Sequence, residues 1–153
     1  MKKLWINALL SALFISISIF VYAERREKEV NPEDLPQNVQ QFISSHFANE
    51  TITDAKIVKY GYHKVMLTNG YEALFDRQGK WVEIDSEKGK PLPSSLMSLL
   101  PQPAQEYMTG KHPDCKACSI ERNSHGYEVE TSDAQPLKIH FDTKGRFMNE
   151  LMD

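Results

Sequence analysis

Phe75-Asp76-Arg77-Gln78-Gly79-Lys80-Trp81 and Phe141-Asp142-Thr143-Lys144-Gly145-Arg146-Phe147 follow one pattern, 66 residues apart: aromatic, Asp, two variable residues, Gly, a cation, aromatic. An Asp in such a run bonds nearby backbone N–H groups and a Gly takes the left-handed position, so each heptad reads as a turn joining two strands. Working outward, Leu35-Pro36-Gln37 recurs as Leu100-Pro101-Gln102 at a shift of 65, and His63-Lys64-Val65 matches Tyr127-Glu128-Val129 at a shift of 64. Three landmarks in the same order at nearly constant spacing mark an internal duplication.

Each copy has the same grammar. In the first, Val39, Phe42, Ile43 and Phe47 fall at helical spacing, with Pro36 in the first turn and Asp34 as the expected N-cap. The period then changes, and residues 55–60, 62–68, 71–76 and 80–85 read as strands rich in β-branched and aromatic side chains. Asn69-Gly70 joins the second and third through a type I′ turn, whose two central residues need positive φ. In the second copy Leu96, Leu99 and Leu100 mark a short helix, Pro101 and Pro103 interrupt and restart it, and Gly110 closes it. Strands are expected over 119–122, 126–131, 137–142 and 146–151. The predicted fold class is therefore α+β: two tandem repeats, each an N-terminal helix or helix pair followed by a four-stranded antiparallel meander. The meanders pair edge to edge, and the helices pack on one face of the sheet.

Composition sets the compartment. The 153 residues carry 18 Lys+Arg against 21 Asp+Glu, a formal charge of −3, which argues against nucleic acid or anionic lipid as a partner. Lys2 and Lys3, the uncharged apolar run 4–22 and the small residues of Val21-Tyr22-Ala23 read as a signal peptide over residues 1–23. A run of about 19 residues also approaches the length of a membrane span, but its serines and its cleavage-like end favour removal, leaving no stable membrane anchor. The expected organisation is a signal peptide (1–23), a flexible segment (24–32), one repeat (33–86), a connection (87–92) and a second repeat (93–153). The protein is expected in the periplasm or secreted.

The aromatic-x-Val-x-Leu strand (His63-Lys64-Val65-Met66-Leu67, and Tyr127-Glu128-Val129), Asn69-Gly70 and the two heptads resemble the PepSY-like family of exported bacterial proteins, described as β-lactamase-inhibitor-like. The resemblance spans residues 33–153. It implies a tandem α+β fold in exported proteins common in Bacteroides and its relatives, and it transfers no catalytic residues. The inhibitor label is a fold-level analogy. Ser132-Asp133-Ala134-Gln135-Pro136 departs from the pattern, standing where the first copy has its tight Asn-Gly turn.

Candidate chemistry concentrates at Cys115-x-x-Cys118. Two cysteines in an exported chain suit a disulfide, provided a turn brings them within bridging distance. His112 and His125 extend the pair to His-x2-Cys-x2-Cys-x6-His, four nitrogen and sulfur groups of the kind zinc binds. Thioredoxin-type redox chemistry lacks its usual βαβ setting. His46, His63 and His140 fall at unrelated points, and Asp76-x-x-Gly79 and Asp142-x-x-Gly145 are explained as turns rather than calcium loops. Trp81 and Phe147 suit the core. Tyr60, Tyr62 and Tyr71 are the candidate partner-binding residues, since tyrosine tolerates half-exposure at interfaces.

No hydrolase, nucleotide-binding or metalloprotease signature occurs in the chain. The function expected is thus non-enzymatic and without cofactor or metal. It is an exported module, inhibitor-like in fold, that recognises a protein or peptide of the cell envelope through an open sheet face and loops, as a monomer or weak dimer. The alternative is an envelope-associated metal-binding or redox-sensing protein built on Cys115-x-x-Cys118.

Overall fold

A computed structural model describes residues 27–132 and 135–152. The signal peptide expected over 1–23 lies outside the described residues. Among the described residues, nine strands and two α-helices follow in chain order: β1 (Lys28–Glu29), α1 (Gln37–His46), β2 (Ile52–Ile57), β3 (His63–Leu67), β4 (Tyr71–Phe75), β5 (Trp81–Ser86), α2 (Gln102–Lys111), β6 (Ala117–Asn123), β7 (Gly126–Thr131), β8 (Leu137–Asp142) and β9 (Phe147–Met152). The short helix expected before Pro101 is a 3-10 segment, Ser94–Leu99.

The strands form one antiparallel sheet in the order β1-β2-β3-β4-β5-β6-β7-β8-β9. This corrects the expected architecture of two paired four-stranded meanders with helices packed on one face. The α+β class holds, but the molecule is mostly a single nine-stranded sheet with few helices. Two interactions account for the difference. β5 and β6 pair in register from Glu83↔Glu121 to Asp85↔Ser119, which fuses the halves without a break. Lys28 and Glu29, inside the segment expected to be flexible, pair with Ile57 and Lys56 of β2 and give their backbone groups partners at that edge.

Strand alternation sorts the side chains. Ala55, Val65, Ala73, Ile84, Ile120, Val129 and Ile139 stand opposite one another from β2 to β8 and are all buried. Val39 and Ile43 of α1, Leu96 of the 3-10 segment, and Ala104 and Met108 of α2 join the same apolar cluster. At about 25 cal/mol per Å² of apolar area, this shared interior outweighs any single polar contact on the surface.

The same local contacts occur in both halves. Asp76 Oδ1 accepts the N–H groups of Gln78 and Lys80 at 2.9 Å each. Asp142 Oδ1 accepts those of Lys144 and Arg146, also at 2.9 Å. Gln40 Nε2 donates to Leu35 O at 2.8 Å, and Gln105 Nε2 to Leu100 O at 2.7 Å. Edge-to-face ring pairs recur as well, Phe42 on Phe75 at 5.2 Å and Tyr107 on Phe141 at 5.7 Å. One detail differs from expectation. Asp34 ends a 3-10 turn (Pro32–Asp34) and accepts from Asn31, while Pro36 occupies the N-cap of α1.

Candidate binding face

The sheet face away from the apolar cluster carries two lateral rows. In the first, Lys56, Lys64, Leu74, Glu83, Glu121, Glu128, His140 and Asn149 stand successively opposite one another from β2 to β9. In the second, Asp54, Met66, Glu72, Asp85, Ser119, Glu130, Lys138 and Leu151 do the same. Six of these seven acids therefore gather over β4–β7, Asp54 of β2 being the exception, and Lys56, Lys64, Lys138 and His140 lie to either side.

Two lysines and a histidine flank and partner the outer acids. Lys64 reaches Glu72 at 2.8 Å, His140 reaches Glu128 at 3.3 Å and Lys138 reaches Glu130 at 3.9 Å. The centre is different: Glu83 faces Glu121 directly across the β5–β6 seam, and Glu121 faces Glu128 across the next pair. Like charges directly opposite destabilise a sheet. Partial burial, then the carboxylates of Asp85, Glu121 and Glu72, push the Glu83 carboxyl above the ordinary carboxylate range, against the pull of Lys64.

These acids did not stand out in the sequence. Glu83 and Asp85, like Glu128 and Glu130, alternate in the manner of any solvated strand face. Only the register across β5 and β6 stacks them.

The residues singled out from the sequence scatter. Tyr60 is 64% exposed and forms, with Gly61, a positive-φ turn between β2 and β3. Arg77 holds that turn by donating from Nε to Tyr60 O at 2.6 Å. Tyr62 lies edge-on to it, ring centroids 6.3 Å apart. Tyr71 is elsewhere: it is buried beside Phe47, its hydroxyl donates to Pro91 O at 3.2 Å, and Lys90 sits over its ring. It shares the core parity of Ala73 and Phe75, which removes it from any exposed recognition surface.

Cys115 is half-buried just before β6, and its N–H donates to His112 O to close a turn. That turn runs over Pro113-Asp114. Cys118 is buried in β6, at a bulge where the register shifts between Ala117 and Ser119. His112 points to Glu150, 2.9 Å away. His125 stands at the far end of β6, in the turn leading to β7, so the four candidate zinc groups are not brought together. Among the described residues no three His, Cys, Asp or Glu side chains converge to hold a metal ion. A cleft of about 410 Å³ lies beside Cys115, lined by Leu92, Leu96, Met97, Met108 and His112, and it is mainly apolar.

Sequence and structure comparisons agree on the kinship. The chain belongs to the family described as "Putative beta-lactamase-inhibitor-like, PepSY-like", which matches it twice, over residues 10–63 and 61–149. A Bacteroides thetaiotaomicron structure, described as "a putative calcium-regulated periplasmic protein", is 34% identical, covers 81% of this chain and 95% of its own, and superimposes with a TM-score of 0.69. A Bacteroides vulgatus structure described as a putative periplasmic protein is 30% identical over the same shares, with a TM-score of 0.70. A second from that organism, of unknown function, is 28% identical, covers 82% and 98%, and has a TM-score of 0.71. No curated protein matches the chain. The protein is periplasmic or secreted, like these relatives. Among the described residues no helix is long and apolar enough to cross a membrane.

Proposed function

We propose that the protein is a non-enzymatic binding module that takes a basic, extended stretch of an envelope protein or peptide onto the acidic face of its sheet. One observation carries this reading: Glu121 stands directly opposite Glu83 on one side and Glu128 on the other, a repulsive arrangement that a cationic partner relieves. The exposed Tyr60 and its neighbour Tyr62 supply loop contact at the rim. The family description names no reaction, in keeping with a role in binding.

A divalent cation competes for such a face, since the B. thetaiotaomicron relative is described as calcium-regulated. The spacing here favours a chain of separated cations over a chelated ion, because no chelating set forms among the described residues.

Titration of the mature protein with an alternating Lys-Ala octapeptide, followed by calorimetry at low and high salt, tests the proposal. Saturable binding that weakens with salt and disappears in the combined Glu83→Gln, Glu121→Gln, Glu128→Gln variant is expected. Binding unchanged in that variant overturns it. Displacement of the peptide by millimolar calcium, and not by magnesium, favours the cation reading instead.

A further inference from the structure

We propose that the outer edge of β9 is a second docking site, for an extended segment of another polypeptide carrying a cation opposite Glu150. The buried row Ala55–Val65–Ala73–Ile84–Ile120–Val129–Ile139 continues onto β9, and the residue there is Glu150. The 66-residue correspondence places Glu150 where the first half has Ile84, and Phe147 where it has Trp81. Bulges confirm the alignment: Phe75 faces Trp81 and Leu74 faces Glu83, while Phe141 faces Phe147 and His140 faces Asn149. β9 is thus β5 again, at the end of the sheet.

The fate of β5 shows what its counterpart accepts. β6 lies antiparallel along it, with Ile120 opposite Ile84. From the same strand, the Arg122 guanidinium lies 5.4 Å from the Trp81 ring centroid and its Nε donates to Trp81 O at 3.1 Å. On β9 the corresponding edge carries Phe147, Met148, Leu151 and Met152, between 43% and 77% exposed. An apolar edge strand is a template for strand addition. A segment seated as β6 is seated sets one guanidinium over Phe147 and turns the residue equivalent to Ile120 toward the Glu150 carboxylate. That carboxylate already accepts the Tyr107 hydroxyl at 3.3 Å and lies 2.9 Å from His112 Nε2.

Charge selects the occupant. A second copy pairing β9 with β9 about a two-fold axis keeps like faces together, so full overlap sets Glu150 against Glu150. A two-residue shift removes that opposition but sets Glu150 against Met148, leaving its carboxylate without a cation. A foreign segment with a cation at its centre meets neither obstacle. An inward-pointing charge on an edge strand is a known guard against self-pairing, and here it also sets the sign of the partner.

The test uses the mature protein and a synthetic β6 segment, Ala117–Asn123, carrying Cys118→Ser and Ile120→Lys. A second peptide carries Ile120→Glu. Backbone amide NMR is expected to show saturable shifts confined to β8 and β9 with the lysine peptide. The preference should invert in Glu150→Lys, with about tenfold weakening for the lysine peptide from the reversed cross-strand charge. If Glu150→Lys fails to fold, Glu150→Gln serves, and the preference between peptides should vanish in it. Equal binding of both peptides, absence of β9 shifts, or protection of β9 in a concentration-dependent homodimer overturns the inference. The variant lacking the charges of Glu83, Glu121 and Glu128 should retain this binding, which separates a failure here from a failure of the acidic-face proposal.

Discussion

Tyr107 of α2 lies flat on Phe147 of β9, ring centroids 4.4 Å apart and planes 8° from parallel. The same tyrosine meets Phe141 edge-on at 5.7 Å, so one ring ties the last helix to the last two strands. Stacked aromatic pairs contribute about 0.5–1.5 kcal/mol beyond the area they bury. A double-mutant cycle on Tyr107→Ala and Phe147→Ala, read by urea unfolding, should return a coupling energy in that range. Strict additivity of the two variants means that the stack contributes nothing.

Relieving the repulsion at the β5–β6 seam should stabilise the fold. Glu83→Gln is expected to gain about 0.5 kcal/mol at neutral pH, within the range for like-charge cross-strand pairs. The pH dependence follows from the raised carboxyl. Just above its ordinary range the folded protein holds this proton while the unfolded chain has released it, so this group's contribution falls as pH rises through that window. Urea midpoints of wild type and Glu83→Gln should therefore converge at acid pH and separate above it. A gap that widens on acidification contradicts the assignment.

His63 titrates with the opposite consequence. Its ring is partly buried, Nδ1 has no hydrogen-bond partner among the described residues, and burial holds its pKa below the ordinary histidine value despite the nearby Asp76. The unfolded chain takes up a proton near pH 6.5, before the folded one does, and stability falls as pH drops through and below that point. His46 is lowered by burial too and adds to the slope. His63→Gln should flatten the decline between pH 7 and pH 5, measured as the urea midpoint. An unchanged decline locates the effect elsewhere.

Gly126 begins β7 at φ 145°, and a Cβ placed there would lie 1.9 Å from Phe141 O. The obstacle is the backbone of the paired strand, which no rotamer change can move. Gly126→Ala should cost about 3 kcal/mol, at the upper end for overpacking, and should do so whether measured by heat or by urea. Gly89 makes an internal control, since the space around it is open and only its positive φ opposes a side chain.

Much of the fold was legible because its signals are local. The heptads at Phe75 and Phe141 form the same Asp-centred turn, built from hydrogen bonds that reach no further than four residues. Asn69 and Gly70 adopt φ of 60° and 75°, as the type I′ reading requires, and Glu50 holds that turn through Thr68 and Asn69. Residue type points Tyr71 outward, whereas strand parity sets it inward beside Ala73 and Phe75. The candidate site was barely legible. Glu83 and Glu121 are separated by α2 and its flanking segments, and no local pattern says which residue of β6 will meet which residue of β5.

From the sequence alone came the turns and the strand periodicity, each carried by residues within a few positions of one another, and the matching landmarks 64–66 residues apart. The tertiary structure decided that the halves fuse into one sheet, that seven acids of both halves share a face, and that the core row ends on Glu150. The reason is register. A one-residue slip between β5 and β6 would turn every side chain to the other face, so burial of Ile84 against Ile120 selects the pairing, and the opposition of Glu83 to Glu121 follows from it.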